Sequence, residues 1–231
     1  ILVNEQIAWS KNILTLRAGR NIEINANLVS SGGTSSDGLR LVYAQDDPSG
    51  DYHLNGATIN LEAGSHFSTQ RANEAAVVYT VITELGTPNS WADGTLQGML
   101  GDLSGNYALG KEIIAWDTSA WNNGAGFTPI GGNGSDQSRF SGKFEGNGHS
   151  IVGLTIRRSE TSHIGLFGAV DASGEIRNVR LSSGSISGGS ITGGLVGWNR
   201  GLIQDSSVAS GTVTGSGVST GGLAGVNRGH I

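Results

Sequence analysis

Apolar side chains recur at every second position in short runs: Leu14-Thr15-Leu16, Ile22-Glu23-Ile24, Leu39-Arg40-Leu41 and Ile59-Asn60-Leu61 early in the chain, and Leu154-Thr155-Ile156 later. A period of two marks a strand that buries one face. Turns rich in Gly, Ser and Asn separate the runs, so the pattern predicts many short strands. Leu14-Thr15-Leu16-Arg17-Ala18-Gly19 is similar to Ile59-Asn60-Leu61-Glu62-Ala63-Gly64, with Leu39–Ala44 between them, at separations of 25 and 20 residues. One strand per coil would give that spacing.

A second repeat dominates the C-terminal part. Gly165-Leu166-Phe167-Gly168, Gly194-Leu195-Val196-Gly197 and Gly222-Leu223-Ala224-Gly225 recur every 28–29 residues. A fixed period of that size signals a solenoid, in which a coil buries its apolar face only by stacking on the next. Aligning the repeats predicts inward columns of Ile156, Val179 and Val208; Ile186 and Val213; Ile191 and Val218; and Leu195 and Leu223. The predicted fold is all-β, a right-handed parallel β-helix. With coils about 4.8 Å apart, ten or so would make a rod on the order of 50 Å long. Residues 1–78 and 132–231 are expected to be coils of one continuous solenoid. Residues 79–131 are expected to be an irregular excursion, with one short helix near 91–104 because Thr95–Leu103 has helical spacing.

Composition sharpens this picture. Gly accounts for 39 of 231 residues, more than twice the usual share of about 7%. Three Pro and no collagen period exclude a triple helix. The glycines are expected to let tight corners take positive φ. A net charge of −5 without a basic stripe argues against a nucleic-acid partner. No Cys is present, so disulfides and thiolate metal sites are excluded. No apolar run approaches the roughly 18 residues that span a bilayer, and no membrane insertion is expected. The chain opens on Ile1 and stops at Ile231 inside a third repeat, so it is expected to be an internal fragment of a longer protein.

Phe140–Ile231 resembles the GLUG-repeat region of large secreted bacterial adhesins. The three Gly-Leu-x-Gly copies carry the resemblance, together with Asn199-Arg200-Gly201 and Asn227-Arg228-Gly229 after the second and third. Phe144-Glu145-Gly146-Asn147-Gly148-His149-Ser150-Ile151 resembles what precedes such repeats. Leu16-Arg17-Ala18-Gly19-Arg20-Asn21-Ile22 resembles the passenger rods of two-partner secretion exoproteins of the filamentous haemagglutinin type. The first copy departs at Ala169-Val170-Asp171-Ala172-Ser173-Gly174, which is longer and lacks the Asn. The resemblance implies export through an outer-membrane pore to the surface of a Gram-negative cell. It also implies attachment to surfaces, cells or matrix polysaccharide, and it carries no catalytic residues.

Candidate chemistry is sparse. Gly217-Val218-Ser219-Thr220-Gly221 spells a nucleophile elbow, but no helix pattern follows it, as an elbow requires. Asp46, Asp47 and Asp51 lie in one loop; they fit a solvated turn or, as the one ion site on offer, Ca²⁺. No other cofactor is expected. Trp91, Trp116, Trp121 and Trp198 offer flat faces to sugar rings or serve packing. Arg157 and Arg180, at the same offset as Ile156 and Val179, are expected to stack on neighbouring coils and, with Arg158 and Arg177, to form a basic face for an anionic glycan or a solvated one. His53, His66, His149, His163 and His230 show no metal-binding spacing. Asn133-Gly134-Ser135 spells a glycosylation acceptor in a Gly-rich turn. The chain is read as a non-enzymatic rod segment of a secreted adhesin. The alternatives are a carbohydrate-active enzyme on the same fold and a passive spacer. The partners expected are a glycan, matrix polysaccharide or surface receptor, and the secretion pore.

Overall fold

The computed structural model describes residues 1–132 and 138–231; Asn133-Gly134-Ser135 lies outside the described residues. The fold is a parallel β-solenoid of about 8 turns, as the alternation and the repeat predict. The chain divides into two compact units. One comprises residues 1–83, 106–111 and 147–149; the other comprises 84–105, 112–146 and 150–231.

The first unit is a stack of three-sided coils. Its strands are β1 (Leu2–Val3), β2 (Ile7–Trp9), β3 (Ile13–Arg17), β4 (Ile22–Ile24), β5 (Leu28–Ser30), β6 (Gly38–Tyr43), β7 (Tyr52–Leu54), β8 (Ile59–Leu61) and β9 (His66–Arg71). Three parallel sheets run β1-β4-β7, β2-β5-β8 and β3-β6-β9. Alternation turns every second residue inward. Leu14, Leu39 and Phe67 therefore form one column, Leu16, Leu41 and Thr69 another, and Ile7, Leu28 and Ile59 a third. Ile22, Ile24, Leu28, Leu39, Leu41, Ile59 and Phe67 lose all solvent contact, and this burial is the main drive for stacking. The run Ile59–Leu61 stacks on Leu28–Ser30 rather than on Leu39–Leu41, which corrects the separation read from the sequence. All sides of such a coil carry the same apolar alternation, so likeness between two runs does not put them on the same side.

The stack changes character after β9. Strand β10 (Val77–Ile82) turns back antiparallel to it, with Tyr79 opposite Phe67, and β11 (Tyr107–Leu109) then runs parallel to β10.

The second unit has coils with more sides. Its strands are β12 (Ile113–Ile114), β13 (Lys143–Glu145), β14 (Ser150–Val152), β15 (Thr155–Arg158), β16 (Phe167–Val170), β17 (Glu175–Arg177), β18 (Arg180–Ser182), β19 (Ser185–Gly188), β20 (Ile191–Gly193), β21 (Val196–Asn199), β22 (Leu202–Gln204), β23 (Ser207–Ala209), β24 (Thr212–Gly215), β25 (Ser219–Gly221) and β26 (Ala224–Asn227). Parallel ladders set the inward columns Phe144–Ile176–Ile203, Ile151–Leu181–Val208, Ile156–Ile186–Val213 and Phe167–Val196–Ala224. The expected pair Ile186 and Val213 is present, and Leu195 donates its N–H to Leu223 O. Two expected columns are displaced. Ile156 stacks on Ile186 rather than Val179, and Ile191 pairs with Ser219 while Val218 stays 92% exposed.

The repeat glycines serve space rather than backbone conformation. None of Gly165, Gly168, Gly194, Gly197, Gly222 and Gly225 has positive φ; the corner role expected of glycine is taken by others, among them Gly33, Gly56, Gly64, Gly148 and Gly153. A Cβ on Gly197 would lie 2.6 Å from Gly168 O, and one on Gly194 would lie 2.3 Å from Gly222 O, so successive coils stack at a distance only Gly allows. In the second unit one series of left-handed corners falls to Gly153, Ser183 and Ser210, with φ of +79°, +55° and +55°, and a second corner of the same turns to Asn178 and Asp205, with φ of +52° and +48°. Small polar residues tolerate that region because their side chains bond locally.

Candidate functional site

Two segments of the second unit leave the ladder and carry three of its tryptophans. The first, 84–105, is a loop closed by main-chain bonds from Leu96 N–H to Glu84 O and from Gln97 N–H to Leu85 O. Its short 3₁₀ helix, Gln97–Gly101, is the helical element expected near 91–104. Gln97 is fully buried and fixes the loop to the coil below. Its amide donates to Thr128 O at 3.1 Å and accepts from Thr128 N–H at 3.0 Å. Asp93 adds a local turn by accepting from the hydroxyl and N–H of Thr95. Trp91 projects from this loop with 68% of its surface exposed.

The second segment, Trp116–Gly124, is a 3₁₀ stretch interrupted by left-handed Asn122 and Asn123. Buried Thr118 donates to Ala115 O at 2.6 Å and accepts the Thr155 N–H at 2.9 Å, joining it to β15. The ring of Trp116 lies over Gly153, where a Cβ would come within 2.3 Å of it. Trp116 nevertheless stays 54% exposed. Trp121 is half-buried and stacks on Phe127, with ring centroids 6.3 Å apart and planes at 21°. That leaves one face of its indole for other contacts.

Two concavities open on these segments. One, of about 320 Å³, is floored by Leu100, Leu103, Pro129 and Ile164, with Trp91 and Arg158 at its wall. The other, of about 600 Å³, sets Trp121 beside Glu84, Asp93 and Asp117 with hydroxyls from Thr87 and Ser90. Asp93 is held below the usual carboxylate range; although burial opposes this, its bonds from Thr95 and Ser90 outweigh it. An aromatic face rimmed by a few polar groups is a common ligand-site composition.

The four arginines expected to share a face do not. Arg157 lies beside Ser187 in the ladder, and Arg180 lies between Ser150 and Ser207, so the two belong to different sheets. The turn lengths here are 30 and 27 residues, and an offset of 23 crosses to another side of the coil. Arg157 leans on Ser119 O at 3.3 Å. Arg177 is buried next to Glu175, which also pairs with Lys143. Arg158 lines the smaller concavity together with exposed Trp91.

Trp198 is no open platform. Its ring stacks with His163 at 5.4 Å, and the guanidinium carbons of Arg139 and Arg228 lie 4.7 Å and 5.9 Å from its centroid. Ser219 of the elbow spelling sits in β25, in the ladder opposite Ile191, with no helix after it. Asp46, Asp47 and Asp51 do not form a cation cage: among the described residues no group of three His, Asp or Glu is placed to hold a metal. Asp47 instead accepts from the N–H and hydroxyl of Ser49 and pairs with Arg20 at 3.3 Å. The Ser49 bonds hold its carboxyl below the ordinary range.

The chain matches no protein-family model and no solved structure. It is similar to Halomucin of Haloquadratum walsbyi, with 34% identity over 169 residues, 69% of this chain and 2% of that protein. It is also similar to a putative Gly-rich membrane protein of Evansella cellulosilytica, with 38% identity over 91 residues, 38% of this chain and 10% of that protein. The chain thus spans a small fraction of the curated relatives it matches. No helix among the described residues is long and apolar enough to cross a membrane.

Proposed function

We propose that this chain is a solenoid segment of a large protein displayed outside the cell, and that it attaches to glycans through the tryptophans of its two excursions. The observation that carries the reading is the exposure of Trp91 and Trp116 on segments held by buried polar bonds. Indole exposed to water forgoes a large burial energy, so a surface that keeps two of them in fixed places is suited to contact with a ligand. The solenoid supplies what such a surface needs: backbone groups paired internally, and copies of a parent chain long enough for weak contacts to sum by avidity. One relative is named a mucin and the other a membrane protein, and both names fit display at a surface. Binding without turnover is the function proposed; on the coils, Glu175 is engaged by Lys143 and Arg177 and Glu145 by Asn178.

The test is a glycan and matrix-polysaccharide array probed with the purified chain, followed by Trp91→Ala, Trp116→Ala and Trp121→Ala. Hits that vanish in at least one variant with an unchanged circular dichroism spectrum are expected. A blank array, or hits indifferent to all three changes, would refute adhesion through these rings and favour a spacer.

A further inference from the structure

We infer that the concavity between Trp91 and Arg158 is the subsite for a carboxylated sugar ring, a uronate unit of an acidic glycan. The inference rests on the glycan-binding reading and names the ligand class for one of its surfaces. Arg158 carries it. Its Nε and Nη2 bond only to neutral oxygens, Phe127 O at 3.4 Å and Thr128 Oγ1 at 3.2 Å. Among the described residues no carboxylate lies within ion-pair distance of it; Arg20, Arg71, Arg139, Arg177 and Arg200 each have one, and Arg17, Arg40, Arg157, Arg180 and Arg228, which like Arg158 have none, are exposed where Arg158 is half-buried. Burial disfavours its charge, yet a guanidinium stays protonated in water at any ordinary pH. A partly desolvated cation without a counter-charge is costly, and an incoming carboxylate relieves that cost through the two-pronged bonding guanidinium favours.

The remainder of the site selects the body of the ligand. Leu100, Leu103, Pro129 and Ile164 present C–H groups and Trp91 a π face, which suit the apolar side of a sugar ring. The site is shallow, since Trp91 keeps 68% of its surface exposed. A flat ring is covered on one side by such a surface, whereas an acyl chain needs enclosure. The neighbouring concavity, with Trp121 among Glu84, Asp93 and Asp117, would repel the same anion. The two sites therefore differ in the sign of charge they accept.

The experiment is isothermal titration of the whole chain with trigalacturonate, with its methyl ester and with oleate, at low salt. Trigalacturonate is expected to bind about tenfold more tightly than the ester, the worth of one charge-assisted contact. Arg158→Gln should lower trigalacturonate affinity to that of the ester and leave the ester unchanged. Arg158→Lys, which keeps the charge and loses the fork, should fall between. Trp91→Ala should weaken both sugars alike. Equal binding of acid and ester, unmoved by Arg158→Gln, would overturn the anionic subsite and leave glycan adhesion standing. Saturable oleate binding without sugar binding would overturn it in favour of a lipid. No binding of any of the three would overturn the subsite, and the array result would then decide adhesion separately.

Discussion

The last two turns of the second unit and the excursions of the same unit are held together in opposite ways. Between the turn β17–β21 and the turn β22–β26 each residue's partner sits 27 or 28 positions away, and main-chain bonds repeat along every ladder. In 84–105 and Trp116–Gly124 the attachments are few and isolated: Gln97 on Thr128 and Leu103 O under the N–H groups of Ser141 and Gly142 in the first, Thr118 on Thr155 and Arg157 on Ser119 O in the second. A ladder is redundant, because losing one rung leaves its neighbours paired. A lone buried amide is not. The exposed indoles thus sit on the less redundant part of the unit, where sequence can vary loop shape without disturbing the stack, but where one substitution removes a large share of the bonds that hold the surface.

The largest test of that contrast strikes β16, the strand on which β21 of the redundant region stacks. Phe167 is fully buried, with Phe140 and Phe144 at centroid distances of 5.0 Å and 5.3 Å. The next residues in its column are Val196 and Ala224, so this turn relies on ring volume where later turns rely on close approach. Phe167→Ala should cost about 3–5 kcal/mol, read as a lowered denaturation midpoint. In hydrogen exchange, β13 to β21 should lose protection while β23 and β24 lose less. Equal loss everywhere would show that the coils unfold as one block, and the contrast with the excursions would weaken.

A smaller effect should follow Gln97→Leu, which is close in volume and removes both bonds to Thr128. The N–H and carbonyl of Thr128 would be left without these partners, costing about 2 kcal/mol. Exchange in 84–105 should rise, the ladder from β17 to β26 should keep its protection, and sugar binding through Trp91 should weaken with it. Raised exchange throughout the unit would mean that the loop braces the coils.

These two residues also mark what was legible in the sequence. Phe167 was visible as part of a periodic motif, and periodicity was enough for the fold class, the short strands and columns such as Ile186 with Val213. It was not enough for register. The pattern aligns Val179 with Ile156, and Arg180 with Arg157, because each side of a coil repeats the same binary pattern and only the turn length separates them. Here that length changes from 30 to 27 residues between successive turns. Gln97 and Thr118 belong to no period, and a single polar residue gives no sign that it will be buried with matched partners. Arg158 was visible as a charge, but its neighbours in the concavity come from three separate stretches of chain, which no local pattern joins.

The smallest effect tests whether the regular coils of the first unit also depend on single side chains. Asp37 is buried at the corner before β6. It accepts from Thr34 Oγ1 at 2.6 Å, from Thr34 N–H at 3.0 Å and from Ser65 Oγ of the next turn at 3.1 Å. Gly32 makes room for it, since a Cβ there would lie 2.2 Å from the carboxyl carbon. The Thr34 hydroxyl above all, then the backbone of Thr34 and the Ser65 hydroxyl, hold its pKa below the ordinary carboxylate value despite burial. A carboxyl with a lower pKa folded than unfolded stabilises the fold fully above the unfolded value, near 4, and loses that stabilisation as pH falls through the folded value. Asp37→Asn should therefore melt below the wild type at pH 7, and the gap should narrow once the pH drops below about 4. A gap unchanged from pH 7 to pH 3 would assign the role of Asp37 to shape rather than charge. No gap at pH 7 would leave the ladder as the sole support of these coils and sharpen the contrast with the excursions.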